Sequence, residues 1–343
     1  MNEARALDAL LRISRSVGRD PLLVQAGGGN VSLKTPGGGM LIKASGARLR
    51  QLSRRAGWTR ASVLAIRRGL AELNARKPTP RRELGYAALL GRAGKAGRAR
   101  VSMEAGFHAA ISEEQVAHVH SIAGILLGFE PAERALKRVR RIFGDRVRAR
   151  LVPACPPGLE LTLLVRKTGG APAGGADARL WILRNHGLIW AADGERELLA
   201  ASRRLERVLR AEYGLHRFPP PHAAGARGCR RRPSGAADAS WREFCFCRWP
   251  RCRLSLTPLF PDFLIYFHGL DGRVSGLELV PPRAFRVRSG GAHPIRDLVE
   301  VFYAHALVTT LAGRGVRPLP GKLLRPIRGL ETERLRLEQA GRK

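Results

Sequence analysis

No apolar run in this sequence approaches the roughly 20 residues that a membrane-spanning helix needs. The best candidates, "IAGILLGF" (122–129) and "FLIYF" (263–267), are far too short. The opening stretch "MNEARALDALLRISRSVGRD" lacks the apolar segment of a secretory signal, because charges interrupt it throughout. A soluble cytoplasmic protein is the expectation. Acids are scarce, 28 against 61 basic residues, for a formal net charge of +33. Lysine is scarcer still, since eight of those 61 are lysine and 53 are arginine. An excess this large raises the question of nucleic acid. Aromatics are only 6%, however, and the arginines are scattered, whereas nucleic-acid readers concentrate charge and interleave stacking rings. No specific nucleic-acid partner is expected, only salt-sensitive attraction to polyanions, and GC-rich coding produces the same arginine bias. The five cysteines contain no C-x-x-C pair. Cys229, Cys245, Cys247 and Cys252 crowd together as C-x15-C-x-C-x4-C, which matches no usual zinc spacing. Reduced thiols are the expectation there.

What the chain does have is a foldable pattern over most of its 343 residues, 44% of them apolar. Leu7, Leu10, Leu11 and Ile13 stripe a helix over residues 3–17. Two alternating runs, Val31–Lys34 and Met40–Lys43, flank a Pro-Gly-Gly-Gly turn and predict a hairpin. Residues 61–75 read as a helix, "VSMEAGFHAAI" as a loop entering a helix, and "QVAHVH" as a buried strand. "LELTLLVRK" and "RLWILRNHGLIW" read as further strands, and "RELLAASRRLERVLRAEY" as a long amphipathic helix. From Phe218 to about Leu256 neither period survives, and Arg, Pro, Gly and Cys dominate. A linker and a local frame error in GC-rich coding would both leave that signature. Pattern resumes with "DFLIYF", "SGLELV" and "AFRVRS" as strands and "IRDLVEVFYAHALVTTLA" as a helix.

Chemistry concentrates in a few places. On a strand, residues i and i+2 share a face, so His118 and His120 can aim two imidazoles into one site. A catalytic zinc takes three protein ligands and keeps one position open. His186, in "RNHG", is the candidate third ligand, and Glu104, at the start of a predicted helix, the candidate acid/base. Any one of these histidines alone reads more readily as a hydrogen-bonded core or surface residue. His108, at i+4 from Glu104, reads as a core or supporting histidine. "PGGGM" is a turn, since no G-K-[ST] follows.

Four segments in order, "GGGNVSLK", "MLIKASGARL", "SMEAGFHAAI…VAHVHS" and "LRNHGLIWAADG", resemble the class II aldolase/adducin family. The resemblance covers residues 1 to about 213 and resumes loosely from Leu256, as in longer family members with a C-terminal extension. It implies an α/β fold, a three-layer α/β/α domain around a largely antiparallel central sheet. The expected division is 1–215 catalytic domain, 216–255 atypical linker or loop, and 256–343 extension. By resemblance, His118, His120 and His186 hold a divalent metal, with zinc expected, and Glu104 is the general acid/base. Asn30, Ser45, Gly46 and Ser102 fall where the family binds the substrate's phosphate. Gly27 and Met103 stand where sugar-phosphate aldolases often carry hydroxyls, so two phosphate donors are missing. The implied reaction is aldol cleavage or formation on a small hydroxy-carbonyl or sugar-phosphate substrate through a metal-stabilised enediolate. Epimerases and dehydratases on the same metal site, and a non-catalytic adducin-like interaction domain, are the alternatives. Family members usually form tetramers, so a homo-oligomer is expected.

Overall fold

The computed structural model describes residues 3–75, 80–94, 99–169, 175–223, 240–267, 274–288 and 293–329. The chain opens with α1 (Glu3–Gly18), then β1 (Asn30–Thr35), β2 (Gly39–Lys43) and β3 (Trp58–Ser62). Three helices follow, α2 (Val63–Asn74), α3 (Pro80–Ala93) and α4 (Ala105–Ala110). Next come β4 (Gln115–Val119), α5 (Ile122–Phe129), α6 (Ala132–Phe143), β5 (Val147–Val152) and α7 (Leu159–Gly169). β6 (Ala178–Leu183), β7 (Gly187–Ala192) and α8 (Glu195–Tyr213) complete this portion. Beyond it lie β8 (His222–Ala223), β9 (Trp241–Cys245), α9 (Pro261–Phe267), β10 (Leu277–Val280), β11 (Ala284–Arg288), α10 (Ile295–Ala312) and α11 (Gly321–Arg328).

Seven strands form one sheet in the order β3-β2-β1-β4-β7-β6-β5. Every neighbouring pair is antiparallel except β5 with β6, which run parallel. Alternation sends one set of side chains to each face. Val31, Leu33, Ala117, Val119, Leu180, Ile182, Leu188 and Trp190 join a core shared with α1, α5, α6 and α8. Val116, Trp181, Leu183, Ile189 and Ala191 face the opposite layer with α4 and α7, while Met40, Ile42 and Ala61 meet α2 and α3. Helices cover both faces, which is why β4, β6 and β7 are apolar on both sides instead of alternating with polar residues. The three-layer α/β/α arrangement with a mostly antiparallel sheet is the expected one.

Two expected strands are helices. "LELTLLVRK" alternates along its first residues, yet Leu159, Thr162 and Val165 are buried at a helical spacing as α7 packs on α4. Pro156-Pro157-Gly158 just before it set the helix start. "DFLIYF" is α9, with Pro261 and Asp262 in its first turn, both favourable at a helix N-terminus. Being apolar all round, α9 shows no period in sequence. Its Phe263 and Phe267 lie in an aromatic cluster with Phe302 and His305 of α10, the Phe263 and His305 rings stacked at 3.7 Å.

The region read as a linker carries β8 and β9, which join β10 and β11 in a four-stranded sheet of order β10-β11-β9-β8. Its middle, 224–239 with Cys229, lies outside the described residues. Cys245 is disulfide-bonded, against the expectation of reduced thiols. Phe246 from this region stacks on Phe285 of β11 at 5.3 Å, and Phe285 meets Phe302 at 4.4 Å. Phe263, Phe285 and Phe302 belong to the same buried cluster as α1, α5 and α8, so one core runs through both parts of the chain. Among the described residues no helix is long and apolar enough to cross a membrane.

Candidate metal centre

β4 lies between β1 and β7 at the middle of the large sheet, with Asn30 opposite His118 on one side and Ile189 opposite it on the other. His118 is thus fully buried, and His120 follows just past the strand end. His186 arrives from the tight β6–β7 turn, where Asn185 takes a left-handed φ of +59°. The next residue must be glycine. A Cβ on Gly187 would stand 2.2 Å from the Val119 carbonyl oxygen, so the bare backbone lets this turn lie against the end of β4. Glu104 enters from the residue before α4, whose preceding turn is pinned by Tyr86: its hydroxyl donates to the Met103 carbonyl (2.7 Å) and accepts from Gly106 N–H (3.1 Å).

These four side chains converge. Glu104, His118, His120 and His186 are all buried, and each offers a ligand atom within 4.8 Å of the others. The three imidazole centroids form a near-equilateral triangle of 4.8, 4.9 and 5.0 Å. His118 Nδ1 lies 2.9 Å from the Leu188 carbonyl, which can only accept, so Nδ1 carries the proton and Nε2 its lone pair. His120 Nδ1 likewise donates to the Asp262 carboxylate. Both Nε2 atoms then turn lone pairs toward each other at 3.1 Å, with Glu104 Oε1 3.2 Å from the first. Acceptors packed face to face repel unless a positive centre lies among them. Two nitrogens at about 2.0–2.1 Å from a tetrahedral zinc sit roughly 3.3 Å apart, close to the spacing found. The donor set therefore fits a cation.

Electrostatics divide the rings. Burial, reinforced by His118 and His120, holds His186 well below its ordinary pKa, so it is neutral and able to ligate. Burial alone would lower His120, but the Asp262 carboxylate outweighs it and the net shift is upward. For Glu104 burial pushes upward and loses to the neighbouring His118, with His120 and His186 adding to it; the carboxyl is held well below its usual range. His108 is a core residue, its Nδ1 2.7 Å from Ser32 Oγ, its ring stacked on Phe107, its pKa pushed down to about 3 by burial.

A cavity of about 60 Å³ adjoins the cluster, lined by Gly27–Gly29, Lys43, Ser45, Gly46, Ser102, Met103, Glu104, His120 and His186, and walled by Pro157, Pro261, Asp262 and Ile265. Of the residues expected to hold a substrate's anionic group, Ser45, Gly46 and Ser102 line it. Asn30 sits behind the lining, fully buried, with neither side-chain amide atom hydrogen-bonded among the described residues. Lys43 donates to the carbonyls of Gly27 and Ala47, both at 2.9 Å, and so braces the glycine loop. Arg184 caps the α5 C-terminus through the Gly128 and Glu130 carbonyls. Gly28 presses against His120, where a Cβ would come within 2.6 Å of Nδ1.

The residues that sequence reasoning missed come from the far end of the chain. Asp262 of α9 is the partner of His120, 142 positions away. Glu300 of α10 accepts from Ala26 N–H at 2.7 Å, just before the glycine loop, and is itself gripped by Arg48, Arg50 and Arg296. Asn185 donates to the carbonyls of Leu259 (2.9 Å) and Arg317 (2.6 Å), tying the His186 turn to the same region. Met103 packs against the buried cluster of Leu264 in α9, Leu319, and Leu323 in α11, which accounts for an apolar side chain at that position. The faint signal was Pro261-Asp262 as a helix start.

Residues 8–213 match the family described as Class II Aldolase and Adducin N-terminal domain. Among solved structures, the N-terminal class II aldolase domain of a conserved protein from Thermoplasma acidophilum is similar at 27% identity, covering 61% of this chain and 93% of that one, with a TM-score of 0.48. L-fuculose-1-phosphate aldolase from Thermus thermophilus is 16% identical over 62% of this chain and 95% of its own, TM-score 0.41. A sugar-phosphate aldolase from Thermotoga maritima is 17% identical over 63% and 98%, TM-score 0.42. No curated protein matches the chain.

Proposed function

Because the chain belongs to the family of class II aldolase and adducin N-terminal domains, we propose that it is a metal-dependent lyase that breaks or forms a carbon–carbon bond beside the carbonyl of a small hydroxylated substrate. His118, His120 and His186 would hold the metal, with zinc the ion that suits three neutral imidazoles. A divalent cation held there supplies a full positive charge to stabilise the negative charge that builds on the substrate as the bond breaks. Glu104, ionised and lining the cavity, would accept a proton and return it. Ser45, Gly46 and Ser102 would meet the substrate's polar end, and the backbone of the glycine loop would approach it closely. Gly27 and Met103 offer no hydroxyl, and the cavity is far below the roughly 300 Å³ of a typical ligand pocket. Both favour a compact substrate, and a larger one requires the α9 wall to give.

The observation that carries this reading is the convergence of four donor side chains, drawn from three separate places in the sequence, within 4.8 Å. Metal analysis of the purified wild type beside His118→Ala and Glu104→Ala tests it. We expect stoichiometric metal in the wild type, its loss in His118→Ala, and retention with no turnover in Glu104→Ala. Turnover is followed in a screen of aldol donors with and without phosphate. Equal metal content in all three proteins would remove the proposal.

A further inference from the structure

We propose that Asp262 is a positioning residue of the metal centre, contributed from outside the family domain. The inference rests on the metal reading above and concerns a side chain that lies beyond residues 8–213. Asp262 sits in the first turn of α9, is 7% exposed, and its Oδ2 accepts from His120 Nδ1.

A neutral imidazole has one donor nitrogen and one acceptor nitrogen. An ionised carboxylate only accepts, so Asp262 forces the proton onto Nδ1 and leaves the lone pair on Nε2, the atom that faces His118 Nε2 at 3.1 Å. Without that partner the ring is free to carry its proton on Nε2, which cannot then ligate. The carboxylate also fixes the ring plane from the side away from His118, and Gly28 packs beside the same Nδ1 edge. Asp262 is not itself a ligand: it is absent from the set whose donor atoms share the 4.8 Å cluster, and the nitrogen it holds points away from His118. His118 gets the same service from a backbone carbonyl within the domain, that of Leu188. Among the described residues, the acceptor for His120 Nδ1 comes from the extension. Helix α9 is held in place to do this, because Asn185 binds the Leu259 carbonyl just before it and Phe263 and Phe267 are buried against α10.

Zinc affinity of the full chain, measured by competition with a chromophoric chelator, tests the assignment in wild type, Asp262→Asn and Asp262→Ala. Outer partners of metal-bound histidines are typically worth 10–100-fold in affinity. We expect Asp262→Ala to bind zinc about 10–100-fold more weakly than wild type, with Asp262→Asn between the two, since its amide oxygen still accepts from Nδ1. The visible spectrum of the cobalt-substituted proteins should change in the same order. Asn is nearly isosteric, so it carries the test where Ala loses the fold, as judged by circular dichroism. A wild type that takes up no zinc overturns the metal reading and this inference with it. A wild type that binds zinc, with both variants binding equally tightly and giving an unchanged cobalt spectrum, overturns the inference alone.

Discussion

Gly27 and Gly28 are neighbours in the same loop, and alanine should be costly at one position and tolerated at the other. At Gly28 the new methyl would lie 2.6 Å from His120 Nδ1, 2.9 Å from Cε1 and 3.0 Å from the Gln25 carbonyl oxygen. Neither neighbour yields cheaply, because the ring is pinned by Asp262 and the carbonyl is hydrogen-bonded to Gly28 N–H. Overpacking of this kind costs roughly 1–3 kcal/mol. For a chain of this length that corresponds to a loss of about 1–4 °C in Tm. Displacing His120 from its carboxylate should also weaken zinc binding by about tenfold or more. At Gly27 the nearest atom to an added methyl is the Tyr266 hydroxyl at 3.7 Å, an ordinary contact, and the φ is not left-handed. Gly27→Ala should therefore fall within about 0.5 kcal/mol of wild type, as surface changes usually do. Differential scanning calorimetry and chelator competition on both variants decide the matter. Equal Tm and equal zinc affinity for Gly28→Ala and wild type would refute the claim that the loop buttresses His120.

Two further outcomes are expected. Asn185→Gly keeps a residue at ease with the left-handed turn but removes both side-chain bonds to the Leu259 and Arg317 carbonyls. It should cost about 1–3 kcal/mol and make the segment before α9 a preferred site of limited proteolysis; an unchanged digestion pattern and urea midpoint would contradict that. Glu83 has its carboxyl pushed up to about 7 by burial and then by nearby Glu160. The folded state therefore holds a proton that the unfolded state releases near pH 4.5, so this group costs stability as pH rises from about 4.5 through 7. Glu83→Gln should flatten that decline in thermal denaturation across the window and raise Tm at pH 8; identical pH profiles would show that Glu83 is not the cause.

Legibility in the sequence followed how local each signal was. The hairpin at 31–43, β4 with its paired histidines, and the long α8 each carry their period within a few residues, and all three are present. The histidine centre was legible because i, i+2 spacing on a strand and a histidine-glycine turn are local statements. α7 and α9 were misread because short apolar runs do not reveal a period, and their buried faces are chosen by α4 and α10. Asp262, Glu300 and the carbonyl partners of Asn185 were invisible for a stricter reason. Nothing in the residues near His120 or Ala26 indicates which acid, more than a hundred positions downstream, will fold back onto them.

That separation has a temporal consequence. A ribosome delivers the three imidazoles long before it delivers the acid that orients one of them, and before the glutamate that receives the Ala26 amide. A nascent chain that ends with α8 carries the three imidazoles and the Leu188 carbonyl that orients His118, but not the acid that orients His120. The geometry of the candidate metal centre is thus complete only once α9 has been made.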